Sequence, residues 1–334
     1  MSDRLPLLSV VSPAFNEEAG LPRFHAALAA ALDLLAGECR VEIVYVDDGS
    51  RDGTLAVLRT LAGQDDRVRY LSFSRNFGNQ AALTAGLESA VGDVIVTLDS
   101  DLQHPPDLIP QLVARWRDGF DVVLAVRAGV TDRTQGWFKR NASLLFHRLL
   151  RRCSELDVRL DASDYRLLSR RAVDGLLRLP ESHRYLRGLV AWLGLATAEV
   201  PFETAPRIAG SSRYTLGRLV RLAFDGLLSF SRVPLRLAVG GGLAVVAVSF
   251  AISTALALSS PIEPATAALL VAVHVIGGIV LAAVGVLGAY TIRIFEECQG
   301  RPLYVLKEMS PVLPGRAKQK RVTSPLRRQA KSVA

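Results

Sequence analysis

Residues 94–103 read VIVTLDSDLQ, an apolar run that ends in two carboxylates one residue apart. The β-branched run predicts a buried strand over 93–98, and the polar residues after it predict a loop at the carboxyl end of that strand. Open α/β sheets bind ligands at this end of their strands. Mg²⁺ is commonly held by one or two carboxylates together with substrate phosphates, so Asp99 and Asp101 are candidates for such a site. A solvated acidic turn is the alternative.

Strand-like and helix-like segments alternate over residues 1–126. This alternation predicts an α/β domain with a mostly parallel sheet and helices on both faces. The predicted strands span 7–12, 41–46, 68–73, 93–98 and 121–126, and the predicted helices span 17–36, 52–63, 79–91 and 106–118. Further along the chain, helices near 170–178 and 184–193 and a strand near 196–203 are also predicted.

Polar residues also follow two earlier predicted strands. Residues 12–18 read SPAFNEE after the first strand, and residues 47–50 read DDGS after the second. The carboxyl ends of parallel strands meet at one edge of a sheet, so these groups are expected to lie near Asp99 and Asp101. For residues 47–50, a capped turn entering the next helix is a second explanation, and both can hold.

These segments resemble glycosyltransferase family 2, specifically the polyprenyl-phosphate glycosyltransferases typified by dolichyl-phosphate mannose synthase and bactoprenol glucosyltransferase. The resemblance runs over roughly residues 6–308 and follows the family's order. It implies a GT-A fold and an inverting enzyme that moves one sugar from a UDP-sugar or GDP-mannose to the phosphate of a polyprenyl phosphate such as undecaprenyl phosphate. The matching segments are 13–17, 47–50, 73–78, 99–106, 164–166, 210–214 and 300–304.

The resemblance also implies roles for individual residues. A nucleotide-sugar pocket is expected from Pro13, Phe15, Glu17, Val46, Asp47, Asp48, Asp99, Ser100, Asp101 and Gln103. Of these, Asp99, Asp101 and Gln103 are expected to hold Mg²⁺ or Mn²⁺ with the diphosphate. The expected catalytic residues are Asp101, Arg127 as a phosphate clamp, and Asp164, which is a base, an orienting carboxylate or a structural partner of Arg166.

The lipid phosphate is expected at a basic, hydroxylated loop. Residues 210–214 read GSSRY where the family usually has Gly-Glu-Ser-Lys-Tyr, so one acid is replaced by Ser211. The residues expected to bind the lipid phosphate are Arg207, Ser211, Ser212 and Arg213.

Mean hydropathy is +0.26, and only 22% of the residues are charged. The apolar excess lies in 237–258 and 267–292, which contain no Asp, Glu, Lys or Arg. Each is long enough to span a bilayer core as a helix. Arginines flank this pair, whereas 259–266 has no Lys or Arg, so both termini are expected in the cytoplasm of a multi-pass inner-membrane protein.

We therefore expect a catalytic domain (1–210), a juxtamembrane amphipathic helix (211–234), two transmembrane helices (235–292), a membrane-proximal segment (293–313) and a basic tail (314–334). The helix either lies along the headgroups or packs on the catalytic domain. The net charge is +8, and residues 316–334 carry seven Lys or Arg and no acid. This tail suits anionic lipids or a solvated end, and the remaining balance gives no reason to expect nucleic-acid binding.

We expect no signal peptide, because residues 5–11 are too short for an apolar core and lack preceding lysines. The three cysteines lack metal-ligand spacing, which fits a reduced, cytosol-facing domain. Glycines in both spans suit close helix packing within one chain or in a homo-oligomer. Two other functions remain open: a non-catalytic scaffold or flippase partner, and a processive synthase, which two C-terminal spans and a missing Q-x-x-R-W box oppose.

Overall fold

The computed structural model describes residues 5–101, 103–127, 162–181, 184–202, 248 and 262–310. The chain forms two compact units. The first comprises Met1–Ala142, Asp157–Ser212 and Pro302–Ala334, and the second comprises Ser143–Leu156 and Arg213–Arg301. All described strands lie in the first unit.

A single eight-stranded sheet forms the first unit's centre. Its strands are β1 (Leu7–Ala14), β2 (Arg40–Asp47), β3 (Val68–Phe73), β4 (Val94–Thr97), β5 (Val122–Arg127), β6 (Ala162–Ser169), β7 (Thr197–Phe202) and β8 (Leu306–Met309). Their order across the sheet is β7-β5-β6-β4-β1-β2-β3-β8. The pairs β1–β2, β1–β4, β2–β3 and β5–β7 are parallel, whereas β3–β8, β4–β6 and β5–β6 are antiparallel.

Helices cover both faces of this sheet. They are α1 (Leu21–Asp33), α2 (Thr54–Gln64), α3 (Asn79–Ser89), α4 (Ile109–Arg117), α5 (Arg170–Leu177) and α6 (Leu186–Trp192), with a 3₁₀ turn at Pro106–Leu108. Prolines occupy the first turns of α1 and α4, where a missing N–H costs nothing. The predicted α/β architecture with a mostly parallel sheet is confirmed.

Alternate residues of the strands face the two helical layers. Val10 of β1 belongs to the apolar core formed with Phe24 of α1, whereas Val11 faces α3. Gly86 of α3 lies so close to the sheet that a Cβ there would be 2.2 Å from Val11 Cγ1. The absence of a side chain at this position therefore lets α3, which carries site residues at its start, pack directly on β1 and β2.

The start of α1 differs from the prediction. We expected a helix from residue 17, but α1 begins at Leu21. The Glu17 and Glu18 N–H groups instead donate to Thr54 Oγ1 at 2.9 Å and Asp52 Oδ2 at 3.2 Å. The two bonds hold the loop after β1 against the segment that follows β2. Because these N–H groups find acceptors there, the chain enters the helix only at Leu21.

Two strands were missed by the sequence analysis. Strand β6 carries Asp164 and Arg166, and these two charged residues interrupt the apolar run by which a buried strand is predicted. In the structure both side chains are buried and form an ion pair with each other. Strand β8 is short and contains Lys307 and Glu308. Leu306–Met309 lies within the expected membrane-proximal segment 293–313; it pairs with β3 and forms the edge of the sheet.

The second unit contains one long described helix, α7 (Ile262–Gln299), of 38 residues. Its part Val275–Gln299 is the one stretch, among the described residues, that is long and apolar enough to cross a membrane. The expected span at 267–292 therefore falls within a helix. The expected span at 237–258 lies outside the described residues except for Val248, as do the segment 211–234 and the tail 314–334.

Candidate active site

Asp47 ends β2 and Asp48 follows it, and both carboxylates accept hydrogen bonds from the protein itself. Ser50 N donates to Asp47 Oδ1 at 2.9 Å, and Ser72 Oγ donates to Oδ2 at 2.7 Å. Asp48 accepts from Phe77 N at 2.7 Å and from Gly78 N at 2.9 Å. The two side chains are buried. They therefore shape the turn after β2 and the loop before α3.

The loop after β1 is fixed to the same turn. Asn16 adopts φ of 55°, a left-handed conformation that Asn tolerates, and its Oδ1 accepts from Arg51 N at 2.9 Å. Ser100 Oγ donates to Pro13 O at 3.0 Å and so joins the ends of β1 and β4. The Phe15 side chain remains 44% exposed at this edge.

A cluster of carboxylates lies at the carboxyl end of β4. The Asp99 side chain is one-third exposed, at 33%. Burial, followed by the charges of Asp164 and Asp101, raises the pKa of Asp99 to about 7. Burial and the charge of Asp101 likewise raise the pKa of Glu17. Asp101 is exposed, and its Oδ1 accepts from Gln103 N at 3.1 Å. Like charges thus accumulate at this edge.

This cluster fits a hard divalent cation that completes its coordination with phosphate oxygens. Mutual repulsion among Asp99, Asp101 and Asp164 is relieved when a cation neutralises it. Across the described ranges, no group of three or more His, Cys, Asp and Glu side chains is arranged as a complete metal site. Two carboxylates plus ligand phosphates suit Mg²⁺, which rarely uses an all-protein cage. Gln103 is placed beside Asp101 by its backbone bond.

Asp164 forms a second charged group next to this cluster. Its Oδ1 accepts from Arg166 Nη2 at 2.5 Å and from Arg187 Nε at 3.1 Å, and its Oδ2 accepts from Arg187 Nη2 at 3.0 Å. Burial opposes ionisation of Asp164, but Arg166 and Arg187 outweigh it and lower its pKa. Asp164 is therefore ionised at neutral pH, with both oxygens engaged.

Three site residues were missed by the sequence analysis. Arg187 reaches Asp164 from the first turn of α6. Asn79, the first residue of α3, lies near Asp99, and its side chain lowers the pKa of that carboxyl. His104 Nδ1 lies 3.7 Å from Asp99 Oδ2, in ring contact with Tyr165. Asn79 directly follows the matching segment 73–78 and His104 lies within the matching segment 99–106, whereas no local pattern distinguishes Arg187.

Comparisons with known proteins identify the family of this chain. A family model described as glycosyl transferase family 2 matches residues 9–177. The chain is 38% identical over 307 residues to the SfII prophage-derived bactoprenol glucosyl transferase of Shigella flexneri. That alignment covers 90% of this chain and 97% of the relative. It is 35% identical over 304 residues to the uncharacterized glycosyltransferase YkcC of Bacillus subtilis (strain 168), covering 90% and 93%.

The chain belongs to glycosyltransferase family 2. Among solved structures, the glucosyl-3-phosphoglycerate synthase of Mycobacterium tuberculosis, in complex with Mn²⁺, UDP and phosphoglyceric acid, aligns with a TM-score of 0.45 and 23% identity. That alignment covers 67% of this chain and 78% of the other.

The remaining expected residues of this family 2 glycosyltransferase lie as follows. Val46 is fully buried in β2, and Pro13 is buried at the end of β1. Arg127 is the last residue of β5, and its side chain lies outside the described part of the structure. The residues expected to bind a lipid phosphate, Arg207, Ser211, Ser212 and Arg213, lie outside the described residues.

Proposed function

We propose that this family 2 glycosyltransferase transfers one sugar from a nucleotide-sugar to the phosphate of a polyprenyl phosphate, with inversion at the anomeric carbon. One observation carries the proposal: the Asp99–Asp101 carboxylates lie beside an ionised Asp164 that is held by two arginines. The two carboxylates suit a metal ion that carries the donor diphosphate. The two arginines held by Asp164 suit the phosphate of the approaching acceptor. Several relatives are named bactoprenol glucosyl transferase, which favours this acceptor and a glucosyl group.

On the donor side, Phe15 and Glu17 are proposed to contact the nucleotide, while Asp47 and Asp48 shape the pocket from behind. Asp99 and Asp101, with Gln103, would hold Mg²⁺ or Mn²⁺. Such an ion supplies neutralisation of the charge that develops on the leaving diphosphate. Asn79, whose side chain favours the ionised form of Asp99, is proposed to orient that carboxylate.

The transfer is a direct displacement. An oxygen of the acceptor phosphate forms a bond to the anomeric carbon, and the bond from that carbon to the β-phosphate oxygen breaks. The bonding electron pair leaves with the nucleoside diphosphate. A phosphate monoester with a second pKa near 6 is already largely ionised at neutral pH, so no proton need be removed. Asp164 is therefore proposed to position Arg166 and Arg187 rather than to act as a base.

Membrane attachment follows from the same proposal, because a polyprenyl chain stays in the bilayer. Exposing each CH₂ to water costs about 0.8 kcal/mol. Helix α7 has exposed apolar side chains such as Val275, Val280 and Leu287, and we propose that it is one of two spans. Arg207 and Arg213 would meet the lipid phosphate at the cytoplasmic surface. A cysteine introduced at Ser260 should be labelled from outside, and one at Ser332 only after permeabilisation; the reverse pattern would contradict this topology.

A transfer assay tests the proposed function. Purified full-length protein is mixed with undecaprenyl phosphate, Mg²⁺ and radiolabelled UDP-glucose, UDP-galactose or GDP-mannose in turn. We expect one donor to label the lipid phase with a single product on chromatography. A ladder of products would indicate a processive synthase. Absence of transfer from every donor, with the fold intact, would favour the scaffold.

A further inference from the structure

Residues 300–304 read GRPLY and follow helix α7. They belong to the family resemblance, yet no step of the proposed reaction uses them. After this segment the chain adds β8 to the edge of the sheet, antiparallel to β3. Residues 302–310 are called the C-terminal segment below. It contacts the loop of residues 74–78, which leads into α3.

Tyr304 makes two contacts around this loop. Its ring stacks on Phe73, the last residue of β3, with centroids 4.8 Å apart and planes 14° apart. Phe73 in turn meets Phe77 edge-on at 5.7 Å. The Tyr304 hydroxyl donates to Glu88 Oε2 of α3 at 2.5 Å. Tyr304 therefore connects Phe73, before the loop, with Glu88, after it, and Phe73 extends this contact to Phe77 within the loop.

The backbone of the C-terminal segment adds a further bond. Ser74 N, at the start of the loop, donates to Val305 O at 2.9 Å. Beyond it, Glu308 fixes β8 by accepting from Arg59 Nε at 2.9 Å and from the Tyr70 hydroxyl at 2.6 Å. Glu308 thus docks the strand, whereas Val305 contacts the loop itself and Tyr304 contacts the residues on either side of it.

The opposite side of the loop faces the donor site. Phe77 N and Gly78 N donate to Asp48, as described above. Gly49, with φ of 66°, lies so close beneath the loop that a Cβ there would be 2.2 Å from the Arg75 carbonyl carbon. The loop then leads directly into Asn79, the first residue of α3, which lies near enough to Asp99 for its side chain to lower the pKa of that carboxyl. A displacement of the loop would therefore move both the turn after β2 and the orientation of Asp99.

We infer that Tyr304 is a positioning residue for donor binding: it holds the 74–78 loop against Asp48, and thereby keeps Asn79 in place beside Asp99. The identity of the donor rests on the proposed function, but the effect on the loop does not. Small displacements at a distance from the reacting atoms can cost as much as about 100-fold in rate. Tyr304 touches no reacting atom and acts through the loop.

Three variants of the full-length protein test this inference. Tyr304→Ala removes the stacking and the hydroxyl, Tyr304→Phe removes the hydroxyl alone, and Glu308→Ala is the matched control that weakens strand docking without touching the loop. Melting temperature, hydrogen exchange of residues 74–80, and KM and kcat for the active donor are measured for each. The dissociation constant for UDP with Mg²⁺ is measured by calorimetry.

We expect Tyr304→Ala to raise the donor KM and the UDP dissociation constant about tenfold, with acceptor KM and saturating kcat changed by less than about threefold. Exchange of the Phe77 and Gly78 amides should accelerate. Tyr304→Phe should be close to wild type, since the stacking is retained, and Glu308→Ala should lower the melting temperature without raising the donor KM.

Equal effects of Tyr304→Ala and Glu308→Ala on donor KM would overturn the inference, as would unchanged exchange at 74–80. If Tyr304→Ala does not fold, Tyr304→Leu takes its place with the same expectations. The exchange measurement needs no ligand. If the wild-type protein transfers no sugar, the proposed function is contradicted. Hydrogen exchange of residues 74–80 still shows whether Tyr304 holds the loop.

Discussion

Arg187 donates two parallel hydrogen bonds to Asp164, from Nε to Oδ1 at 3.1 Å and from Nη2 to Oδ2 at 3.0 Å. The Arg187 side chain is 32% exposed, so one side of the guanidinium faces the site while the other is held by the carboxylate. A planar guanidinium fixed in this way can present its remaining N–H groups to a phosphate. The pair thus joins the carboxylate that we propose as a positioning group to a cation that we propose as a phosphate-binding group.

The first prediction concerns this pair. Arg187→Ala should lower kcat/KM about 10- to 100-fold, because the acceptor loses an oriented cation and Asp164 loses its two-point contact. Arg187→Lys should recover only part of the activity, since an ammonium keeps the charge but not the fork geometry. Steady-state kinetics with both substrates measures this.

The matched control is Arg171→Ala. Arg171 also pairs with an aspartate, Asp121 at 3.3 Å, but its side chain is 76% exposed, so activity should be unchanged and stability should fall by no more than about 1 kcal/mol. In a double-mutant cycle, Arg187→Ala and Asp164→Asn should be coupled by about 0.5–3 kcal/mol in transition-state free energy. Strictly additive effects would show that the two residues act separately.

The second prediction concerns the cation. Asp101→Asn should reduce kcat about 100- to 1,000-fold while the melting temperature stays near that of the wild type, because an exposed charge that faces the diphosphate is lost. EDTA should abolish transfer, and Mg²⁺ or Mn²⁺ should restore it. Asp107→Asn makes the same chemical change at another exposed position and should leave activity intact. Full activity of Asp101→Asn would refute the metal assignment.

The third prediction separates the acceptor from the donor. Arg213→Ala should raise the KM for polyprenyl phosphate about tenfold, since a guanidinium in contact with a phosphate contributes roughly that factor. The donor KM should stay near the wild-type value. Initial rates at varied lipid and fixed donor, and the converse series, distinguish the two. A raised donor KM with an unchanged lipid KM would place this loop on the diphosphate instead.

The fourth prediction concerns acid stability. Burial lowers the pKa of His25, and the nearby Asp65 carboxylate, 3.6 Å away, offsets only part of this effect. In the unfolded chain, His25 takes up a proton as the pH falls through its ordinary pKa of about 6.5. In the folded protein, His25 is still neutral at that pH. Unfolding free energy should therefore fall as the pH drops below that value, by linkage. Between about pH 8 and pH 5, the free energy of unfolding, measured with denaturant, should depend less steeply on pH for His25→Gln than for the wild type. An identical pH dependence of the two proteins would show that His25 is not the cause.

Much of the fold could be predicted from local patterns. The runs that became β1 to β5 are apolar enough to be buried whichever strand lies beside them, so the sequence determines them as strands. Asp99 and Asp101 could be predicted as site residues because they directly follow such a run, and the carboxyl end of a strand is set by chain direction. The start of α1, β6 and β8 could not be predicted, since each depends on hydrogen bonds or ion pairs with distant residues.

The roles of single side chains were decided by tertiary structure. The sequence places Asp47, Asp48 and Asp99 alike after predicted strands, yet in the structure Asp47 and Asp48 accept hydrogen bonds from the protein while Asp99 remains one-third exposed. Asp164 lies on a strand that the sequence did not predict, and packing pairs it with Arg187. Arg187 and Tyr304 acquire their partners only when non-neighbouring segments meet across the sheet. Local periodicity specifies which face of an element is buried, whereas the partner of a polar group depends on strand order, which non-local pairing and packing establish.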